Sequence, residues 1–200
     1  MARLATSFVL GYHGCDAEIA RRVIEGDMPL LQSNRDWDWL GPGAYFWEAD
    51  PVRAMEFAEW KQARGEIETP AVIGAVIDLR ECLDLTNRDD IELVAAAYDS
   101  FVRLNAAAGL PLPENRNASS DPFGNLLLRY LDCAVFRHLH KLIVETKIER
   151  IDTVRGMFEE GGLAFPGSAI KAKTHTQIAV RNNDCIKGTF YPLVEGALQF

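Results

Sequence analysis

Hydrophobic and polar positions alternate in short blocks whose period changes along the chain. Phe8, Val9, Leu10 and Tyr12 are strand formers, so Ser7–Tyr12 predicts a short strand interrupted at Gly11. From Asp16 the spacing becomes helical, with Ile19, Ala20, Val23 and Ile24 recurring; Asp16 suits the N-cap and Gly26 the C′ position. Residues 27–43 hold Pro29, Ser33, Asn34, Gly41, Pro42, Gly43 and two Asp-Trp steps, and predict a loop. Ala44–Trp47 predicts a short buried strand, Asp50-Pro51 the start of a helix running to about Ala63, and Ala71–Leu79 a strand. A helical pattern opens at Asp89 or Asp90 and runs to about Ala108. The Pro/Asn/Ser-rich stretch Gly109–Pro122 then predicts a loop, and a second helical pattern spans about Gly124 to Glu145. Arg155–Phe158, a Gly161-Gly162 turn, a loop through Pro166-Gly167-Ser168 and strands at His175–Val180 and Cys185–Phe190 complete the chain. This order predicts an α+β fold in one domain, 1–200, with a helical insertion over about 88–147.

Composition adds bounds. At 200 residues and 22.3 kDa the chain can bury a full core without a disulfide or a metal. Apolar runs as short as Ala71–Ile77 predict no membrane-spanning helix, and the first residues lack the apolar core of a secretory signal. The net charge is −8, with 9 Lys/Arg against 19 Asp/Glu in the first hundred residues and 12 against 10 in the second. This excludes the broad basic footprint of a general nucleic-acid binder. Residues 137–187 are locally basic, with 9 Lys/Arg against 6 Asp/Glu, and leave a polyanionic acceptor open beside the plainer reading of a mixed surface. Cys15, Cys82, Cys133 and Cys185 are far apart, and His13, His138, His140 and His175 form no zinc pattern. The expectation is reduced, buried thiols, metal-independent chemistry and a cytoplasmic location.

Three segments carry candidate chemistry: Tyr12-His13-Gly14; Gly41-Pro42-Gly43-Ala44-Tyr45-Phe46-Trp47-Glu48 with the Asp50-Pro51 helix behind it; and His175-Thr176-Gln177-Ile178-Ala179-Val180-Arg181. Gly14 lets another group approach the backbone closely. Tyr45 offers an aromatic face, and Phe57, in the next helix, is a second candidate wall. Two aromatic walls beside a backbone amide suit a planar carboxamide such as nicotinamide. Taken singly, each motif is more often a turn and a core strand; their order and separation are more specific.

Together these motifs resemble the ADP-ribosyltransferase superfamily, in its diphtheria-toxin and poly(ADP-ribose) polymerase branch, over about residues 8–60. The whole chain also resembles a set of bacterial proteins that carry the same pattern. The resemblance implies a split β-core and transfer of ADP-ribose from NAD, without a metal, to a protein or nucleic-acid acceptor. It implies that His13 binds the adenosine ribose, that Gly14 holds the nicotinamide carboxamide through its backbone, and that Tyr45 and Phe57 stack on the ring. Where the family often has a carboxamide-binding Ser, this chain has Arg53 and Ala54. Gln177 stands where the family has its catalytic Glu, and lacks the negative charge that stabilises an oxocarbenium-like transition state. Glu48, Glu159 or Glu160 are candidate substitutes, each also readable as a solvated loop charge. His175, two residues before Gln177, faces the same side of the strand, as a base, as an orienter of Gln177 or as a structural His. Trp37 and Trp39 border the implied cleft, as a cover for the ligand or as loop anchors. Bacterial relatives in this superfamily are often toxins or defence factors, which makes the helical insertion a candidate surface for an inhibitor or antitoxin. The rivals are a non-catalytic NAD or ADP-ribose binding module, an NAD glycohydrolase, and a structural protein whose matches are accidental.

Overall fold

A computed structural model describes residues 8–146 and 150–193. The first strand runs past the predicted stretch: β1 (Phe8–Asp16) pairs antiparallel along its whole length with β3 (Pro70–Asp78). Ser7 lies outside the described residues. His13 and Gly14 are therefore inside a strand rather than beyond its end. The sheet has seven strands, adding β2 (Ala44–Glu48), β4 (Cys82–Asp84), β5 (Thr153–Phe158), β6 (His175–Val180) and β7 (Ile186–Phe190), in the order β4-β5-β6-β2-β1-β3-β7. Among the described residues, only β4 and β5 pair in parallel. That geometry requires a long crossover. The connection carries α3 (Arg88–Ala108) and α4 (Tyr130–Thr146), the helical excursion of an α+β fold.

Local chemistry sets the helix starts. Asp16 accepts from the Glu18 N–H at the head of α1 (Ala17–Ile24) and also from the Glu68 and Thr69 amides, tying the helix start to the β3 approach. Asp50 caps α2 (Pro51–Ala63) by accepting from the Arg53 N–H, with Pro51 in the first turn. Asn87 caps α3, and Gly109 ends it in the left-handed region. The helix expected from Gly124 begins instead at Tyr130. Gly124 has φ +72°, and Leu128 exchanges backbone bonds with Arg116, so tertiary pairing keeps this stretch extended.

Directly paired residues project to one side of a sheet. On the α1 side, Cys15, Phe46, Ile73, Ile77, Ile178 and Val180 pack with Ala20 and Val23. On the opposite side, Tyr45, Val154 and Ala179 pack under α3 and α4, and Trp47 and Val72 under Ala54 of α2.

Candidate functional site

The site begins where two strands part. β1 pairs with β2 only at Gly11 and Tyr12. The Leu10 carbonyl accepts from the Ala49 N–H on the β2 side at 2.9 Å, while the Ala17 N–H donates to the Thr69 carbonyl on the β3 side at 2.8 Å. Backbone groups alternate sides along a strand, so Gly14 directs its N–H and C=O toward β2. β2 has already diverged there, and Gly14 has no backbone partner on that side among the described residues. Gly14 also has to be glycine for a packing reason: a Cβ would lie 2.1 Å from the Ala54 carbonyl oxygen.

His13 bridges the gap. Its Nδ1 lies 2.7 Å from the Tyr45 carbonyl oxygen. A carbonyl only accepts, so Nδ1 carries the proton. Burial lowers the His13 pKa to about 4, against the opposing pull of that bond, so the ring is neutral near pH 7 and Nε2 is a bare acceptor. The ring packs on Phe46, with centroids 5.8 Å apart, on the α1 side.

Tyr45 points to the opposite side. Its hydroxyl donates to the Gly41 carbonyl at 2.8 Å and accepts from the Leu40 N–H at 2.9 Å, which ties the Gly41-Pro42-Gly43 turn to the strand. Burial raises the phenol pKa well above its usual value, so it stays protonated. The structure thus brings His13 to the backbone of Tyr45 and not to its ring. Tyr45 and Phe57 pack in different clusters. Tyr45 belongs to the cluster under α4, whereas Phe57 packs on Trp47, with ring centroids 5.0 Å apart. Ala54 is fully buried within α2, its backbone carbonyl lying against Gly14.

Gln177 pairs with Trp47 across β2 and with Gly156 across β5, so its side chain shares a side with Tyr45 and Trp47. Trp39 reaches it from the 27–43 loop, its Nε1–H donating to Gln177 Oε1 at 2.6 Å. His175 shares that side, as its register with Phe158 requires. Its Nδ1 donates to the Lys173 carbonyl at 2.7 Å, and its Nε2 is buried without a partner. Burial lowers its pKa. Trp47 Nε1 and Arg53 Nε are likewise buried and unpartnered, with the Arg53 guanidinium 5.6 Å from the Trp47 ring centroid.

The candidate substitutes for a catalytic Glu are placed elsewhere or engaged. Glu48 projects to the side opposite Gln177 and pairs with Arg155 at 2.6 Å. Glu160 pairs with Arg53 at 2.7 Å, and Glu159 is exposed on the loop after β5. Lys173 joins Glu56 at 2.8 Å, so two ion pairs latch the 159–174 loop to α2. His138 and His140 diverge as their spacing requires: His138 meets Ser100, and His140 is buried beside Phe136 and Gly41.

Sequence reasoning missed the pairing of Trp39 with Gln177; the only signal was a Trp in a Gly-rich loop. It also missed Arg137, whose guanidinium binds the Asn34 and Arg35 carbonyls and fixes that loop to α4. A cavity of about 240 Å³, lined by Val23, Leu30, Ile186 and Thr189 among others, lies elsewhere, and no candidate residue borders it. Among the described residues no His/Cys/Asp/Glu group could hold a metal, and no helix is long and apolar enough to cross a membrane. Protein-family models, curated proteins and solved structures were all compared with the chain, and none matches.

Proposed function

We propose that the chain is an NAD-dependent ADP-ribosyltransferase with an ADP-ribosyltransferase-like split core. The observation that carries this reading is the parted seam between β1 and β2, where the N–H and C=O of Gly14 point toward β2 with no backbone partner among the described residues, next to a neutral His13. One donor and one acceptor on a single residue match a primary carboxamide, which nicotinamide has. The bare Nε2 of His13 is suited to accept from a ribose hydroxyl. Gln177, one strand beyond β2, is the residue this reading assigns to the nicotinamide ribose. In the reaction the ribose C1′–nitrogen bond breaks, its electron pair leaves with nicotinamide, and a nucleophile of a protein or nucleic-acid acceptor bonds to C1′ and loses its proton to solvent or to a base. The protein supplies binding and orientation. A cytoplasmic setting, where NAD is abundant, fits this use.

A second reading, a non-catalytic NAD or ADP-ribose binding module, is favoured by one feature. Gln177 carries no charge, and the ion pairs of Glu48 and Glu160 leave neither carboxylate free to replace it.

Nicotinamide release from NAD, with and without crude cell protein and RNA, separates the readings. The transferase requires release that depends on the lysate, label transfer from NAD to a macromolecule, and loss of both in a folded His13→Ala variant. Release without lysate indicates a glycohydrolase. Binding without release supports the module, and no binding removes NAD from the account.

A further inference from the structure

Gln177 sits at the position from which a carboxylate would accept hydrogen bonds. Its amide is held the other way round. An indole nitrogen only donates, so the 2.6 Å contact with Trp39 Nε1 fixes Oε1 inward, and the Nε2–H2 group is turned away from Trp39. Among the described residues the Gln177 side chain makes this one hydrogen bond, and it is partly exposed, so its amide nitrogen is open to a ligand. Trp39 is itself immobilised. Its ring lies over Gly156, where an added Cβ would come within 2.7 Å of Cη2, and its centroid is 5.1 Å from that of Phe158. Gly156 is the ladder partner of Gln177, so the missing side chain on β5 makes the space that lets the indole reach the amide.

We propose that Trp39 is a positioning residue that fixes Gln177 as a hydrogen-bond donor, so that this position reads an acceptor-only oxygen of the bound dinucleotide, a ribose ring oxygen or a phosphate oxygen rather than a hydroxyl. The proposal rests on the NAD reading and deepens it. A carboxylate at this position would bind ribose hydroxyls as an acceptor. The fixed amide instead selects NAD or ADP-ribose through an oxygen lone pair, and adds no negative charge at C1′.

Calorimetric titration with NAD and with ADP-ribose tests this on the full chain and on the Gln177→Leu, Gln177→Glu and Trp39→Phe variants, alone and combined. Gln177→Leu is expected to weaken binding about fivefold by removing the donor, and Gln177→Glu about tenfold or more by facing an acceptor with an acceptor. Trp39→Phe is expected to weaken binding about threefold in the native background and to have no effect in the Gln177→Leu background, because it acts only through the amide. Equal Trp39→Phe losses in both backgrounds overturn the proposal. So does a Gln177→Glu variant that binds as tightly as the native chain, a comparison that does not depend on Trp39→Phe folding. If the native chain binds neither ligand, the NAD reading falls and this proposal with it; if it binds and the Glu and Leu variants rank in reverse, only this proposal falls.

Discussion

The two sides of the sheet follow different rules. On the α1 side, Phe46, Ile73, Ile77, Ile178 and Val180 are fully buried and apolar, and exclusion of water accounts for their placement. On the α2–α4 side, burial is as deep but the chemistry is mixed. Trp47 Nε1, Arg53 Nε, His175 Nε2 and both nitrogens of His140 are buried without partners. Natural proteins satisfy nearly all buried polar groups, and an exception needs a reason. The α1 side carries polar groups as well, His13 and the Glu48–Arg155 pair, but each of these has a partner. The other side keeps buried groups whose hydrogen-bonding capacity is unused, where local rules are expected to yield to function.

The comparison breaks most directly at Phe46. Phe46→Ala removes a fully buried ring from the apolar side and should cost about 4 kcal/mol in urea unfolding. A loss nearer 1 kcal/mol would mean that this side is as adaptable as the other. Gly14→Ala tests the seam. The new Cβ would lie 2.1 Å from a backbone carbonyl of α2, which cannot rotate away, so about 2–3 kcal/mol is expected. Gly188→Ala, with no atom within 4 Å of its added Cβ, is the matched control and should stay within about 0.5 kcal/mol. Gly156→Ala is next, at about 1–2 kcal/mol, because it presses on the side chains of Trp39 and Leu85 rather than on backbone. Its specific mark is loss of the Trp39–Gln177 bond, read as a shift of the Trp39 indole N–H resonance.

How far each side was legible follows from how local its signals are. The caps at Asp16 and Asp50, the Pro51 start and the His175–Val180 strand were readable because residues within a few positions determine them. The three-residue β4 and the late start of α4 were not, because they depend on pairing with Thr153–Arg155 and with Arg116. The same division holds at the site. The positions of His13, Gly14 and Gln177 stood out as motifs. What they do depends on contacts that no spacing encodes: Trp39 with Gln177 across 138 residues, and Glu48 with Arg155 and Glu160 with Arg53, each across 107. Tyr45 and Phe57 belong to different packing clusters for a geometric reason. Helix α2 sets Phe57 over Trp47, two residues further along β2.

His140 gives the smallest change and the sharpest test of whether unpartnered groups on the α2–α4 side cost stability. Both ring nitrogens lack partners, and burial, reinforced by nearby Arg181, lowers the pKa to about 3. The folded ring is therefore neutral while the unfolded one titrates near its ordinary value of about 6.5. Between those values the unfolded state binds a proton that the folded state does not, so stability falls as pH drops from about 6.5 toward 3 and is level in this respect above 7. His140→Leu keeps a similar volume and removes both unsatisfied nitrogens. It should raise stability at pH 7 by about 1 kcal/mol and reduce the acid slope by about one proton per molecule. Urea unfolding from pH 4 to pH 8 reads both effects. A variant less stable than the native chain at pH 7, with the slope unchanged, would mean that His140 is satisfied, most simply by a buried water between it and the Gly41 turn. The contrast between the two sides of the sheet would then narrow to the groups around Trp47 and His175.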